Sequence, residues 1–186
     1  AIFASGSGSN AQNIIKFFEN DPIARVVLVL TNNINAYVLE RAQVLNVSTY
    51  VFDKKELMST KGVVIVLQKF EVDFIVLAGF LLKVPKAILN SYPKNIVNIH
   101  PSLLPKYGGK GMHGIFVHKA VFNNNEKETG ITIHYVNEHY DEGDIIFQAK
   151  CEIQRGELAK DISEKTHKLE MEYFPTIIKD VIIKNG

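Results

Sequence analysis

The chain has 186 residues, enough for one domain with a sizeable core. Lys and Arg number 21 against 20 Asp and Glu, and the resulting net charge of +1 excludes the basic excess of a dedicated nucleic-acid binder and the high net charge of a disordered chain. The longest uncharged apolar run, Phe74 to Leu82, falls well short of the roughly 20 residues a bilayer span needs, and the first residues lack the basic stretch and long apolar core of a signal peptide. No membrane partner is therefore expected, and the location is expected to be cytoplasmic. Cys151 stands alone, so no intrachain disulfide or multi-cysteine zinc site is possible, which suits a reducing compartment. The chain opens inside an apolar run without Met, and a few native residues are expected to precede it.

Ala1 to Ala4 reads as the tail of a buried strand, and Asn10 to Asn20 as a helix with Ile14, Ile15, Phe17 and Phe18 on its apolar face. Val26 to Leu30 is β-branched and uncharged, the pattern of a strand buried on both faces. Ala36 to Asn46 reads as a helix, Thr49 to Phe52 as a short strand, Ser59 to Phe70 as a helix and Asp73 to Ala78 as a second fully apolar strand. A short helix over Val84 to Ser91 starts near Pro85, and Asn95 to Ile99 is a further strand. Pro101 to Gly114, with two Pro and four Gly, is a loop. Ile115 to Phe122 reads as a helix, Gly130 to Val136 and Asp144 to Ile153 as strands antiparallel to their neighbours, and Asp161 to Ile183 as a long helical region interrupted near Pro175. Strands alternating with helices predict an α/β fold: a Rossmann-like open twisted sheet, parallel in its N-terminal half and mixed in its C-terminal part, with helices on both faces. One compact unit over 1–186 is expected, without repeat or linker.

Ser5-Gly6-Ser7-Gly8-Ser9-Asn10 joins a buried strand to a helix. Glycines let the backbone turn sharply there, and a helix N-terminus adds open N–H donors and a partial positive charge, which together favour a phosphate. The competing reading is an ordinary tight turn with Ser or Asn as the N-cap. No Gly-Lys-Ser/Thr follows, so the loop is not a Walker loop, and Ala11 stands where a dinucleotide fingerprint needs its third glycine. At the other end of the half, Val97-Asn98-Ile99-His100-Pro101 closes a buried strand. Alternation puts Asn98 and His100 on one face, and open α/β sheets bind ligands at the carboxyl ends of their strands. The pair is a catalytic candidate; the alternative is a histidine and an asparagine that merely tie down the loop.

The segment Asn98-Ile99-His100-Pro101-Ser102-Leu103-Leu104-Pro105 resembles the signature of the folate-dependent formyltransferases. Gly6 to Asn10 is similar to the phosphate loop of the members that act on glycinamide ribonucleotide, and Leu77-Ala78-Gly79-Phe80 and Tyr140-Asp141-Glu142-Gly143 resemble two further family segments. The likeness runs from the first residues to about Pro175. It implies transfer of the formyl group of 10-formyltetrahydrofolate, a co-substrate, to the amine of glycinamide ribonucleotide in purine biosynthesis. Relatives acting on methionyl-tRNA or hydrolysing the folate carry an extra domain, and none is expected here.

The resemblance implies roles for individual residues. Asn98, His100 and Asp141 form the catalytic constellation: Asn98 and a protonated His100 donate to the oxyanion of a tetrahedral intermediate, and Asp141 raises the His100 pKa and helps move the amine proton. Without the family, Asp141 reads first as an ordinary acidic turn residue. His134 supports the site. Gly6, Ser7, Gly8, Ser9 and Asn10 hold the phosphate, and His167 and Glu170, on one helical face, meet the rest of the ribonucleotide. The folate lies against Leu81, Leu82, Lys83 and Val84, then beside Asn98 and along Asn137, Glu138, His139, Tyr140 and Asp141. Residues 1–95 then form a phosphate-binding half and 96–186 a catalytic and folate half.

Lys106 to Gly114 departs from relatives that read Lys-Tyr-Pro-Gly-Leu-His-Thr-His; four glycines in nine residues predict a mobile loop that closes over the ribonucleotide. His113 and His118 invite a metal reading with His100, but the chemistry needs no metal and no carboxylate-rich ligand set accompanies them, so none is expected. Two other readings compete: a formyl-folate hydrolase, in which a ribonucleotide pocket would be idle, and a nucleotide- or folate-binding module, which has no need of three catalytic groups. A monomer or a homodimer fits equally.

Overall fold

The computed structural model describes residues 1–185. Seven strands form one sheet in the order β3-β2-β1-β4-β5-β6-β7. The strands β1 (Ile2–Phe3), β2 (Leu28–Thr31), β3 (Ser48–Val51), β4 (Ile75–Leu77) and β5 (Ile96–His100) pair in parallel. β6 (Glu128–Tyr135) and β7 (Ile145–Glu152) extend the sheet antiparallel, as the sequence pattern predicts. β1 to β3 run to one side of β1 and β4 onward to the other, so the strand order reverses between β1 and β4. A crevice opens at the carboxyl ends of strands at such a switch point.

The apolar runs are explained by cover on both faces. Alternation along β1 sends Ile2 and Ala4 to one side and Phe3 to the other; Val29 opposes Leu28 and Leu30 in the same way. On the first side lie α1 (Ser9–Phe17), α2 (Val38–Val44) and the C-terminal part of α7 (Ala159–Asn185), through Ile14, Val38, Phe174 and Ile178. On the second lie α3 (Lys54–Met58), α4 (Gly62–Lys69) and α5 (Lys86–Ser91), through Leu57, Val63, Leu67 and Ile88. A smaller cluster joins α6 (Ile115–Asn123) to α7 through Val117, Val121 and Ile162. Phe3 lies edge-on to Phe80, at 5.3 Å, and tilted to Phe52, at 5.9 Å, pairs that brace the turn following β4.

Two elements differ from the sequence reading. The helix expected over Ser59 to Phe70 is α4, three residues shorter at its start, and a separate helix that was not expected, α3, precedes it. α3 starts at Asp53, whose side chain accepts from the Glu56 N–H at 2.8 Å, and ends at an extended Ser59. α4 begins at Gly62, packed so closely on the Glu56 carbonyl that a Cβ there would sit 2.1 Å from it. The second difference is α7, which runs without a break through the buried Pro175. A proline removes the hydrogen bond to the carbonyl four residues back. That carbonyl, of Met171, accepts instead from Asn13 Nδ2 of α1 at 2.7 Å. A tertiary contact thus replaces the missing helical bond and the interruption does not occur. No helix among the described residues is long and apolar enough to cross a membrane.

Candidate active site

A cavity of about 480 Å³ opens at the carboxyl ends of β1, β4 and β5, walled on its far side by α6 and α7. Gly6, Ser7, Gly8, Ser9 and Asn10 all line it. Gly8 is the N-cap of α1, at φ 74°, and no side chain caps the helix, so the Ser or Asn cap of the competing reading is absent. The first-turn N–H groups are therefore open, and the helix dipole adds positive potential at that point. The loop's carbonyls are engaged elsewhere: the Val38 N–H donates to Gly6 and the Arg41 Nε–H to Ser7. Arg41 also reaches the Gln12 side chain. Gly8 has no room for a side chain, since a Cβ would lie 2.4 Å from Val38 Cγ2 and 2.8 Å from its Cα. Its glycine is dictated by packing on α2 and by the left-handed turn, whereas a Cβ on Gly6 meets nothing.

Asn10 donates through Nδ2 to Glu170 Oε2 at 2.9 Å, which joins α1 to α7. His167 Nδ1 lies 3.1 Å from the same oxygen, one helical turn away. Glu170 holds the His167 imidazole above its ordinary value, the hydrogen bond being the main cause and burial opposing it. The three residues predicted to meet one ligand thus form one hydrogen-bonded cluster on the cavity wall.

At the other end, Asn98 and His100 project from β5 and meet Asp141 from the turn after β6. Asp141 Oδ2 accepts the Gly109 N–H at 2.9 Å and lies 3.5 Å from His100 Nδ1; Oδ1 lies 3.4 Å from Asn98 Nδ2. Its backbone is left-handed, at φ 57°, a strained state that surrounding contacts must hold and that clusters at functional sites. His134, opposite Asn98 on β6, directs Nδ1 to the Tyr135 carbonyl at 2.8 Å. The carbonyl only accepts, so Nδ1 carries the proton and Nε2 accepts from Asn98 Nδ2 at 3.0 Å. His134 therefore orients the Asn98 amide. Burial alone would raise the Asp141 carboxyl, but the facing histidines and the Gly109 N–H outweigh it and hold it below the ordinary aspartate value.

His100 departs from expectation. Burial pushes its imidazole below the ordinary histidine value, and the attraction of Asp141 and the bond to the Tyr107 carbonyl do not overcome it. The free protein therefore holds His100 neutral near pH 7, where a protonated ring was expected. The ring is 4% exposed, and its Nε2 donates to the Tyr107 carbonyl at 2.7 Å.

A family model described as formyl transferase matches residues 1–178. The phosphoribosylglycinamide formyltransferase of Bacillus subtilis is 34% identical, the match covering all of this chain and 95% of the relative. A chloroplastic protein of the same name from Arabidopsis thaliana is 38% identical over 98% of this chain. The crystal structure of phosphoribosylglycinamide formyltransferase from Bacillus halodurans superposes with a TM-score of 0.88 at 34% identity, covering all of this chain and 95% of that one. The chain belongs to the formyl transferase family. It spans 66% and 62% of the length of two plant members, and more of the bacterial ones.

The formyl transferase family takes formyl-folate as co-substrate, and the residues expected to meet it divide into two groups. Leu81, Asn98, Tyr140 and Asp141 line the cavity. Leu82, Lys83, Val84, Asn137, Glu138 and His139 lie outside its lining. Val84 is 7% exposed and belongs to the core beneath α5, so its side chain is no pterin wall. Asn137 shapes its own turn, accepting the His139 N–H at 2.8 Å and donating to the Glu142 carbonyl at 3.2 Å. Glu138 pairs with Lys86 at 2.9 Å and so joins the stretch after β4 to the stretch after β6. Three contributors escaped the sequence reading. The Gly109 N–H and the Tyr107 carbonyl act through backbone and leave no side-chain signal. His118, set aside as a failed metal ligand, lines the cavity; its signal was a histidine among the buried positions Val117 and Val121 of α6. No group of three or more His, Cys, Asp or Glu among the described residues is placed to hold a metal.

Proposed function

We propose that the chain transfers the formyl group of 10-formyltetrahydrofolate to the amine of glycinamide ribonucleotide, the reaction named for its relatives and a step of purine biosynthesis. The observation that carries the reading is one cavity with an uncapped helix N-terminus at one end and Asn98, His100 and Asp141 converging at the other. The phosphate rests on Gly6 to Asn10, and Glu170 and His167 meet the ribose or glycyl part. Residues 1–95 make the phosphate half and 96–186 the catalytic and folate half, with α7 of the second half closing the ribonucleotide end. The folate enters past Leu81 and Tyr140, along the two stretches tied by Lys86 and Glu138. A cytosolic location belongs to the same reading.

The substrate nitrogen attacks the formyl carbon, a C–N bond forms, and the carbonyl electron pair moves onto oxygen. Asn98 donates to that oxyanion, an interaction strongest in the transition state. Neutral His100, once its proton has moved from Nε2 to Nδ1 beside Asp141, takes the proton lost by the nitrogen on Nε2 and becomes an imidazolium paired with Asp141. The C–N bond to folate then breaks, and His100 returns the proton to the leaving nitrogen. His100 must first release the Tyr107 carbonyl, so substrate entry and movement of Lys106 to Gly114 are coupled. Limited proteolysis with and without the ribonucleotide reads that movement; identical cleavage in both states refutes it.

The test is folate absorbance with 10-formyltetrahydrofolate present and glycinamide ribonucleotide added or withheld. Folate release only with the ribonucleotide supports the transferase. Release without it makes the protein a hydrolase, and no release in either case removes the reading.

A further inference from the structure

The single proton of the neutral His100 ring faces two acceptors. Nε2 donates to the Tyr107 carbonyl at 2.7 Å, and Nδ1 stands 3.5 Å from Asp141 Oδ2. The bond to Tyr107 therefore leaves Nδ1 without a proton, its lone pair toward an ionised carboxylate. That arrangement is electrostatically poor, and a ring free of Tyr107 would carry its proton on Nδ1, toward Asp141. The resting form thus depends on what keeps the Tyr107 carbonyl in place. Tyr107 is left-handed, at φ 59°, a state that a non-glycine residue keeps only when surrounding contacts hold it. Just before it, the Ser102 hydroxyl donates to the Lys106 carbonyl at 2.7 Å. The Tyr107 phenol donates to Glu126 Oε1 at 2.8 Å, and Lys106 Nζ reaches the same oxygen at 2.9 Å. Burial, with the Glu126 bond second, pushes the phenol up to about 12, so it keeps its proton. The Lys106 and Tyr107 donors hold the Glu126 carboxyl below its ordinary value, so it is a charged acceptor.

Glu126 is itself firmly placed. It follows α6 in a Schellman turn: Asn125 is left-handed at φ 51°, its N–H donates to the Phe122 carbonyl at 3.0 Å, and the Glu126 N–H donates to the Val121 carbonyl at 3.3 Å. Val121 lies in the buried cluster that includes Ile162 of α7. Glu126 does not line the cavity, yet it reaches the catalytic ring through one side chain and one carbonyl. We infer that Glu126 is a positioning residue: through the Tyr107 phenol it fixes the carbonyl that keeps the His100 proton on Nε2, and so holds the ring out of its working form until the ribonucleotide draws the loop away. The hold matters because water competes with the amine. With the proton on Nδ1 before the ribonucleotide arrives, water can bond to the formyl carbon while Nε2 takes its proton. The C–N bond to folate then breaks, the proton passes to the folate nitrogen, and formate leaves. The inference rests on the transferase reading for its substrates, whereas the link from Glu126 to His100 stands on the contacts alone.

Three variants separate the parts. Glu126→Ala removes the anchor, Tyr107→Phe removes only the phenol oxygen, and Glu126→Gln keeps an acceptor oxygen for the phenol. Nitrogen NMR of histidine-labelled protein at neutral pH locates the His100 proton, the signals being assigned by their loss in His100→Gln. Wild type and Glu126→Gln are expected to carry it on Nε2, and Glu126→Ala and Tyr107→Phe mainly on Nδ1. A residue that serves stability alone would lower the melting temperature and leave the proton where it is. Folate release from 10-formyltetrahydrofolate is then followed without and with glycinamide ribonucleotide. A minor state is populated at roughly 10% or less, so making it predominant in Glu126→Ala is expected to raise the ratio of release without the ribonucleotide to release with it by about tenfold. Glu126→Gln is expected to keep the wild-type ratio. A proton still on Nε2 in Glu126→Ala overturns the inference, and so does an unchanged ratio with a moved proton. If wild type releases no folate with the ribonucleotide present, the transferase reading falls, and the proton location alone decides whether Glu126 holds His100.

Discussion

Asp141→Asn isolates the charge of the site from its shape. Asparagine tolerates the left-handed backbone at φ 57°, and its carbonyl still accepts the Gly109 N–H that now reaches Oδ2 at 2.9 Å. What disappears is an ionised carboxylate, 11% exposed, 3.5 Å from His100 Nδ1. Unit charges at that separation attract by roughly 5 kcal/mol at an effective dielectric of about 20. The amide dipole returns part of this. The imidazolium formed during proton transfer is therefore destabilised by about 4 kcal/mol, close to three decades of rate and inside the range of about 10²–10⁴ for a positioned proton-transfer group. The expected result is a kcat about a thousandfold lower, with ribonucleotide affinity within a few-fold because the phosphate end is untouched. The assay is steady-state formyl transfer with calorimetric binding and a melting curve on the same preparations. A kcat within about tenfold of wild type refutes the role given to Asp141. A collapse of both kcat and melting temperature refutes the separation of charge from shape.

The glycines of the phosphate loop divide by cause: Gly8→Ala is expected to lower stability by about 2–4 kcal/mol, because its Cβ meets Val38 and its φ is positive, whereas Gly6→Ala keeps the melting temperature and weakens ribonucleotide binding. Full affinity in Gly6→Ala removes Gly6 from the site. Asn13→Ala is expected to cost about 1–3 kcal/mol by leaving the Met171 carbonyl unpaired, and clearly less in a Pro175→Ala background, where the new N–H can bond that carbonyl; additive denaturation energies in the double-mutant cycle contradict the pairing. Burial depresses both His100 and His118 from the histidine value of 6.5, so below that pH the unfolded chain binds protons that the folded chain refuses. Stability contributed by these rings is present above pH 6.5 and falls as pH drops through their lower folded values. His167 is shifted upward and has the opposite slope, its contribution being lost as pH rises through its folded value. Urea titrations across that acid range should show a shallower acid-side loss in His118→Leu, and an unchanged slope would exclude His118 as a contributor. The acid limb of kcat/KM should lie below the ordinary histidine value and move further down in Asp141→Asn, since the carboxylate is the largest influence raising His100.

The fold and the two ends of the site were legible because each left a local signature. Uncharged β-branched runs at Leu28–Thr31 and Ile75–Leu77 announce strands covered on both faces. The glycine-serine turn into α1, and Asn98 and His100 at a strand end, follow from backbone permissiveness and period-two alternation. The likeness to known segments extended this to Asp141, which lies 41 positions beyond His100 and whose composition alone suggested a plain turn.

Other features lay beyond local reading because they depend on what approaches from elsewhere in the chain. Pro175 looks like a break until Asn13 of a distant helix supplies the donor for Met171. Gly8 looks like a ligand-facing glycine until α2 is seen against it. Protonation of His100 is the clearest case. Its neighbour Asp141 argues for a charged ring, but desolvation depends on how much protein closes over it, and here closure wins. His118 shows the same division, since only the packed structure leaves its Nδ1 buried without a partner. By itself the sequence determined which elements form and which chemistry-bearing residues stand at their ends, because propensity, alternation and turn geometry act over a few residues. Tertiary structure decided charge states, vacant hydrogen bonds and close approaches, because those depend on atoms brought together from positions far apart in the chain.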